Sequence, residues 1–205
     1  MLRELRPALV MTVTLTVLTG LAYPLAMTGL AGVLFPSQAA GSLVVVDGNV
    51  VGSSLIGQSF TGERYFHGRL SATTAADPAD ATKTVPAPYN ASNSMGSNLG
   101  PTSKALADRL GDDFAALRKE NPAARVPVDL VTTSGSGLDP EISPDAALFQ
   151  VPRIAQARGL PEDQVRRLVE AQVEPPQLGL IGEPRVNVLA LNLALDRAGA
   201  RAAAR

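Results

Sequence analysis

The sequence predicts an α+β domain carried on a single N-terminal membrane helix. Three observations predict it. Residues 7–35 contain no Lys, Arg, Asp, Glu, His, Asn or Gln. The stretch that follows sets short β-branched runs between turn residues. From residue 102 onward, apolar residues recur mainly at helical spacing.

Eleven residues of the 7–35 run are Leu or Val, each worth about −0.3 to −0.6 kcal/mol on an insertion scale. At about 1.5 Å per residue the run exceeds a hydrocarbon core of about 30 Å. Arg3 and Arg6 precede it, and the next cation is Arg64. The positive-inside rule therefore predicts residues 1–6 in the cytoplasm, 7–35 across the membrane and 36–205 outside. The competing reading is a cleaved signal, because Ser37-Gln38-Ala39-Ala40 is a small-residue context. The run is about twice the usual length of a signal core, which favours retention. Thr12, Thr16 and Gly20 repeat every four residues with Thr19 beside them. Such a small-residue rail admits close approach of another helix.

With Arg3, Arg6 and Glu4 set aside, the rest carries 16 cations and 18 acids. No basic stripe points to nucleic acid. There is no Cys and only one His, so thiolate chemistry is excluded and any His-based site must use His67.

Phe35-Pro36 ends the helix. Residues 42–51 predict a hairpin turning at Asp47-Gly48-Asn49. Leu55–Phe60 and Tyr65-Phe66 read as short extended pieces. Residues 71–88 hold almost no large apolar side chain and read as a surface loop. Residues 89–101 are polar and rich in turn formers. Thr102 or Ser103 caps a helix that Asn121-Pro122 stops. Val126 to Thr133 reads as a strand, with Val126, Val128 and Leu130 on one face. Residues 134–140 form a loop. Ser143 caps a helix with Pro144 at its first position, and Pro152 kinks or splits it. Gly159 ends that helix. Pro161-Glu162-Asp163 opens another, which stops before Pro175-Pro176. Residues 186–195 fit either helix or strand, composition favouring helix. The tail from Ala198 to Arg205 is expected to fray.

No phosphate-binding, dinucleotide-binding or zinc-protease motif occurs. Gly135-Ser136-Gly137 reads as a turn after a strand, since a nucleophile elbow needs another residue before the serine. The segments that remain unexplained are Arg6-Pro7-Ala8, Tyr23-Pro24-Leu25, residues 52–58, Tyr65-Phe66-His67-Gly68-Arg69, Ser71-Ala72, Tyr89-Asn90, residues 96–101, 129–140 and 182–189. In this order they resemble the C subunit of the Kdp potassium-transporting P-type ATPase, across nearly the whole chain. Leu70 departs from the family, which usually has Pro there.

The resemblance implies an accessory subunit in a bacterial inner membrane, single-pass and not itself an enzyme. Its implied partners are a channel-like A subunit, an ATP-hydrolysing B subunit and a small F subunit, besides membrane lipid. ATP, Mg and potassium are implied for the complex as a whole, with none held directly by this chain. The implied roles are assembly of the complex, cover over the external potassium entrance, and a proposed chaperone action raising the B subunit's ATP affinity. The orientation read from the cations favours the first two, because it sets the domain away from cytoplasmic nucleotide. Helix packing is expected at Thr12, Thr16, Thr19 and Gly20. Partner contacts are expected at Tyr89, Asn90, Asn98, Gly100, Pro101, Ser134, Ser136 and Asp139. The alternatives are an anchored extracytoplasmic hydrolase using Ser134 or Ser136 with His67, and a secreted binding protein.

Overall fold

The computed structural model describes residues 2–203, and the chain divides into two compact units, residues 1–53 and 54–205. The architecture is mixed α and β, as the sequence predicts.

The first unit opens with α1 (Leu2–Val17), a π-helical turn (Leu18–Ala22) and α2 (Tyr23–Leu34). Residues Arg3–Leu34 form one helix long and apolar enough to cross a membrane. The π turn has a local cause. Pro24 lacks an N–H, so the carbonyl four residues earlier has no donor. The Tyr23 N–H instead reaches the Leu18 carbonyl, five residues back. Thr19 Oγ1 donates to the Leu15 carbonyl at 2.7 Å, within the same stretch. Phe35 breaks the helix with φ −136°, and α3 (Pro36–Ala39) adds one short turn. Strands β1 (Leu43–Val46) and β2 (Asn49–Ser53) then pair antiparallel. Asp47 and Gly48 both have positive φ, the signature of the type I′ turn that Asp-Gly favours.

The second unit has its core in the C-terminal half. Helices α6 (Pro144–Phe149), α7 (Val151–Arg158), α8 (Glu162–Ala171) and α9 (Val188–Ala203) pack with a small antiparallel sheet. That sheet has the order β5 (Glu141–Ile142), β7 (Arg185–Asn187), β6 (Val173–Glu174). Phe66, Ile154, Val165, Val169, Val186, Leu191 and Leu195 are fully buried in the core. Ser143 caps α6 by accepting the Ala146 N–H, and Pro152 sits in the first turn of the separate helix α7. Helix α4 (Lys104–Glu120) is capped by Ser103 and buries no residue fully.

Phe66 and His67 run extended without joining a strand. Two buried side-chain amides replace the missing neighbours. Asn192 Oδ1 accepts the Phe66 N–H at 2.8 Å, and its Nδ2 donates to the Phe66 carbonyl at 3.0 Å. Gln150 does the same for His67, at 2.8 and 3.1 Å. A buried backbone left unpaired would cost about 1–3 kcal/mol per group, so these clamps decide where the segment lies.

Three expectations are corrected. Residues 126–133 contain no strand but the short helix α5 (Val128–Val131). Asp129 takes the N–H and hydroxyl of Ser143, and Arg109 Nη1 donates to the Val131 carbonyl. These tertiary bonds override the β-branched composition. Residues 71–88 are not all loop. Strands β3 (Thr74–Ala76) and β4 (Thr84–Pro86) form a hairpin whose turn is held by Asp77 accepting the Ala79 N–H and Asp80 accepting the Thr82 N–H. Residues 185–195 combine both alternatives. Strand β7 ends at Asn187, whose Oδ1 accepts the Ala190 N–H and caps α9. Helix α9 extends to Ala203, and ahead of the tail Leu195 is buried and Asp196 pairs with Arg158 at 2.8 Å. Residues 204 and 205 lie outside the described residues.

Candidate functional site

Five of the eight predicted contact residues gather in one junction of loops within the second unit. Its centre is Tyr89, held at φ +60°. The Tyr89 hydroxyl donates to the Arg69 carbonyl at 2.6 Å, and the Tyr89 N–H donates to Ser71 Oγ at 3.0 Å. The ring passes over two glycines. A Cβ on Gly57 would lie 2.5 Å from the Tyr89 ring, and one on Gly68 would strike the Tyr89 hydroxyl. Any side chain at either position would displace Tyr89.

Ser71 and Thr73 tie this tyrosine to the two neighbouring loops. Ser71 Oγ contacts the Gly137 carbonyl at 2.7 Å, and Thr73 Oγ1 contacts the Ala87 carbonyl at 2.6 Å. The two hydroxyls are 2.9 Å apart. Thr73 Oγ1 also accepts the Asn90 N–H at 3.1 Å. Two hydroxyl protons thus serve three contacts, a coupled arrangement sensitive to loss of any member. Asn90 Nδ2 donates to the Thr74 carbonyl at 2.7 Å.

The 134–140 loop closes the junction. The Ser134 N–H donates to the Leu70 carbonyl at 3.0 Å, next to a parallel bridge between Leu70 and Thr133. Ser134 is buried. Ser136 is exposed; its Oγ accepts the Leu138 N–H, and its carbonyl accepts from Ser94 Oγ. Asp139 pairs with Arg69 Nη1 at 3.1 Å and accepts the Glu141 N–H. Arg69 Nη2 also reaches Thr132 Oγ1 and the Thr133 carbonyl at 3.4 Å. Its Nε is buried with no hydrogen-bond partner among the described residues. Beside this ion pair runs an open groove lined by Arg69, Thr132, Asp139, Glu141, Glu183 and Arg185.

The other predicted residues lie elsewhere. Asn98 (φ +52°), Gly100 and Pro101 are exposed in the approach to α4. The Gly100 carbonyl accepts the Ser103 N–H, which makes it part of the turn before that helix. Thr12, Thr16, Thr19 and Gly20 are exposed along the N-terminal helix. His67 Nε2 faces the Gly62 carbonyl at 3.0 Å. Burial and then Arg153 hold its pKa below the usual histidine value. No hydrogen bond joins it to Ser134 or Ser136. Among the described residues, no group of three or more His, Cys, Asp or Glu is arranged to hold a metal.

Sequence reasoning missed Arg69, Ser71 and Thr73 as organising residues, and Gly57 and Gly68 as the floor under Tyr89. Except for Thr73, their only signal was position, inside short segments whose residue order had no explanation of its own.

The Tyr89 hydroxyl is pushed up to about 12, first by burial and then by Asp139, with Arg69 opposing. It therefore remains a donor at ordinary pH. A raised folded value contributes stability below the ordinary tyrosine value near 10, and that stability is lost as pH rises towards about 12. Denaturant midpoints measured between about pH 9 and 12 should fall more steeply for the natural chain than for Tyr89→Phe. Parallel slopes would contradict this account.

With this geometry in place, the comparisons with known proteins are decisive. A family model described as KdpC, the K+-transporting ATPase c chain, matches residues 5–197. The chain belongs to this family. A potassium-transporting ATPase KdpC subunit from Methylobacterium nodulans is 76% identical, over 96% of this chain and 98% of that relative. One from Methylorubrum extorquens is 74% identical, over 95% and 97%. One from a strain of Rhodopseudomonas palustris is 70% identical, over 98% and 100%. The segments that carry the resemblance in sequence include those that interlock at Tyr89, Arg69 and the 134–140 loop.

Proposed function

We propose that this chain is the accessory single-span subunit of a potassium-transporting ATPase of the bacterial inner membrane. It holds the complex together and covers the external potassium entrance, without catalysing a reaction itself. The observation that carries this reading is the family match over residues 5–197, backed by relatives named as KdpC subunits that align over nearly their full length. The helix Arg3–Leu34 supplies the span. Arg3 and Arg6 at its start argue for an N-terminus in the cytoplasm and a second unit outside. In that orientation the second unit does not meet cytoplasmic ATP. An effect on nucleotide affinity at the B subunit is then transmitted through the assembly.

The loop junction fits a binding body better than an active site. Tyr89, Asn90, Ser71, Thr73 and Asp139 bond to backbone or to one another. A junction so cross-linked keeps its shape when a partner docks, which lowers the entropic cost of binding.

The test is to purify the channel-like and ATP-hydrolysing subunits with and without this chain. Without it, potassium-stimulated ATPase activity and recovery of the intact complex should fall at least about tenfold, the loss expected when a binding hot spot is removed. Unchanged activity and integrity would reject the reading. Orientation is checked with an impermeant thiol reagent on intact cells, the chain being free of cysteine. Asp47→Cys should label and Glu4→Cys should not.

A further inference from the structure

A different segment of the second unit presents an unusual surface. Residues 177–181 fold back on themselves just before β7. The Gln177 N–H donates to the Ile181 carbonyl at 2.8 Å, and the Ile181 N–H returns to the Gln177 carbonyl at 3.0 Å. Inside this closure the Gly179 N–H reaches the Pro176 carbonyl at 2.9 Å and the Leu180 N–H reaches the Gln177 carbonyl. The tip is thus locally hydrogen-bonded and stands behind the stiff pair Pro175-Pro176. Its side chains are apolar and turned to solvent. Leu178 is 87% exposed, Leu180 88% and Ile181 62%. Leu178 also sits at φ +55°, where a residue with a Cβ is disfavoured. A soluble surface has no use for three adjacent aliphatic side chains on a rigid tip, one of them in a strained conformation.

Three occupants are conceivable, and charge and shape separate them. Residues 173–184 contain no Lys, Arg, Trp or Tyr, the residues that anchor loops at a bilayer surface. The charges they do contain are Glu174 and Glu183. Glu174 is paired with Arg185 at 2.9 Å, whereas no ion pair involves Glu183 among the described residues. An anionic lipid surface would repel this base. A second copy of the chain would set convex tip against convex tip and bury little area. A concave apolar cleft with a cationic rim on another polypeptide complements both the tip and its acidic base.

We propose that residues 177–182 are a docking finger. Leu178, Leu180 and Ile181 fill an apolar cleft, rimmed by Lys or Arg, on another subunit of the same ATPase, with Glu183 facing that rim. This rests on the subunit reading above and adds the element that grips. The tip alone is too small for a standard interface of about 800 Å² per partner. It is the anchor of a larger contact, of the kind in which a few buried side chains carry most of the affinity.

The absence of cysteine allows a direct experiment. Leu180→Cys is labelled with a benzophenone maleimide in the full chain, incorporated in the complete ATPase, and illuminated. The same probe at Ala123→Cys, an exposed position after α4, is the reference. A light-dependent adduct with another subunit, at least about tenfold above the reference, is expected for an anchor at a contact centre. Adducts only with lipid, only with a second copy, or no more than the reference overturn the finger. The triple variant Leu178→Ser, Leu180→Ser, Ile181→Ser should leave the complex about tenfold faster in detergent, with an unchanged melting curve. An unchanged dissociation rate also overturns it. Failure of the natural chain to copurify with the ATPase would instead defeat the subunit reading, and the finger with it.

Discussion

Gly137→Ala is expected to destabilise the second unit by about 3–5 kcal/mol, because strain and overpacking act together there. Gly137 has φ +68° and is buried between three segments. A methyl group at this position would strike Thr73 Cγ2, lie 2.6 Å from the Met95 carbonyl and 3.3 Å from Ser71 Oγ. The first of these side chains belongs to the hydroxyl pair that holds Asn90 and Ala87. Thr73 cannot retreat without giving up those bonds. The Met95 carbonyl is backbone and cannot rotate away. The expected result is a lowered denaturant midpoint for the full chain in detergent, together with weaker association with the ATPase. Gly135→Ala is the matched control. Its Cβ would meet nothing within 4 Å, so its cost should stay below about 1 kcal/mol. Equal behaviour of the two variants would refute the packing argument.

Asn192→Leu is expected to cost a similar amount by a different route. It leaves the buried Phe66 N–H and carbonyl without partners, at about 1–3 kcal/mol for each group. Leucine has the same branching and heavy-atom count and is the bulkier of the two, so none of the loss comes from a cavity. Asn192→Asp separates the two bonds. The carboxylate still accepts the Phe66 N–H but sets a lone pair against the Phe66 carbonyl. It should therefore also destabilise at neutral pH and recover part of the loss when acid protonates it. Equilibrium unfolding at two pH values measures both effects. An Asn192→Leu variant as stable as the natural chain would mean that the Phe66 segment is held by packing alone.

Residue pattern predicted well the elements that punctuate themselves. The Asp47-Gly48 turn, the Ser103 and Ser143 caps and the break at Pro152 each depend on a residue whose local chemistry dictates one geometry. The long apolar N-terminal helix was equally plain, since composition alone marks it. Failure came where a distant group settled the outcome. Val126 to Thr133 has a strand's composition, but Asp129 is claimed by Ser143 and Val131 by Arg109. The hairpin of β3 and β4 was hidden because Thr and Ala give no amphipathic signal. Asn187 was the overlooked cap that lets strand and helix share one stretch.

The site was less legible for the same reason. Tyr89, Asn90, Ser134, Ser136 and Asp139 stood out as contact residues only through the family resemblance. The bonds that join Tyr89 to Ser71 and Asp139 to Arg69 link residues 18 and 70 positions apart. No periodicity encodes such a closure. The two clamping amides were invisible too, since an Asn in a helix or a Gln between two helices ordinarily faces water.

The π turn at Leu18–Ala22 has a rotational consequence for the N-terminal helix. It inserts one residue into the helical count, an offset of about 100°. In an unbroken α-helix Thr28 would stand about 160° from Thr12, on the opposite side. With the inserted residue the difference shrinks to about 60°, and Gly32 swings round with it. A single proline thus sets the phase between the two halves of the span. It turns two short sets of small residues, Thr12-Thr16 and Thr28-Gly32, separate on a helical wheel, towards the same side of the helix.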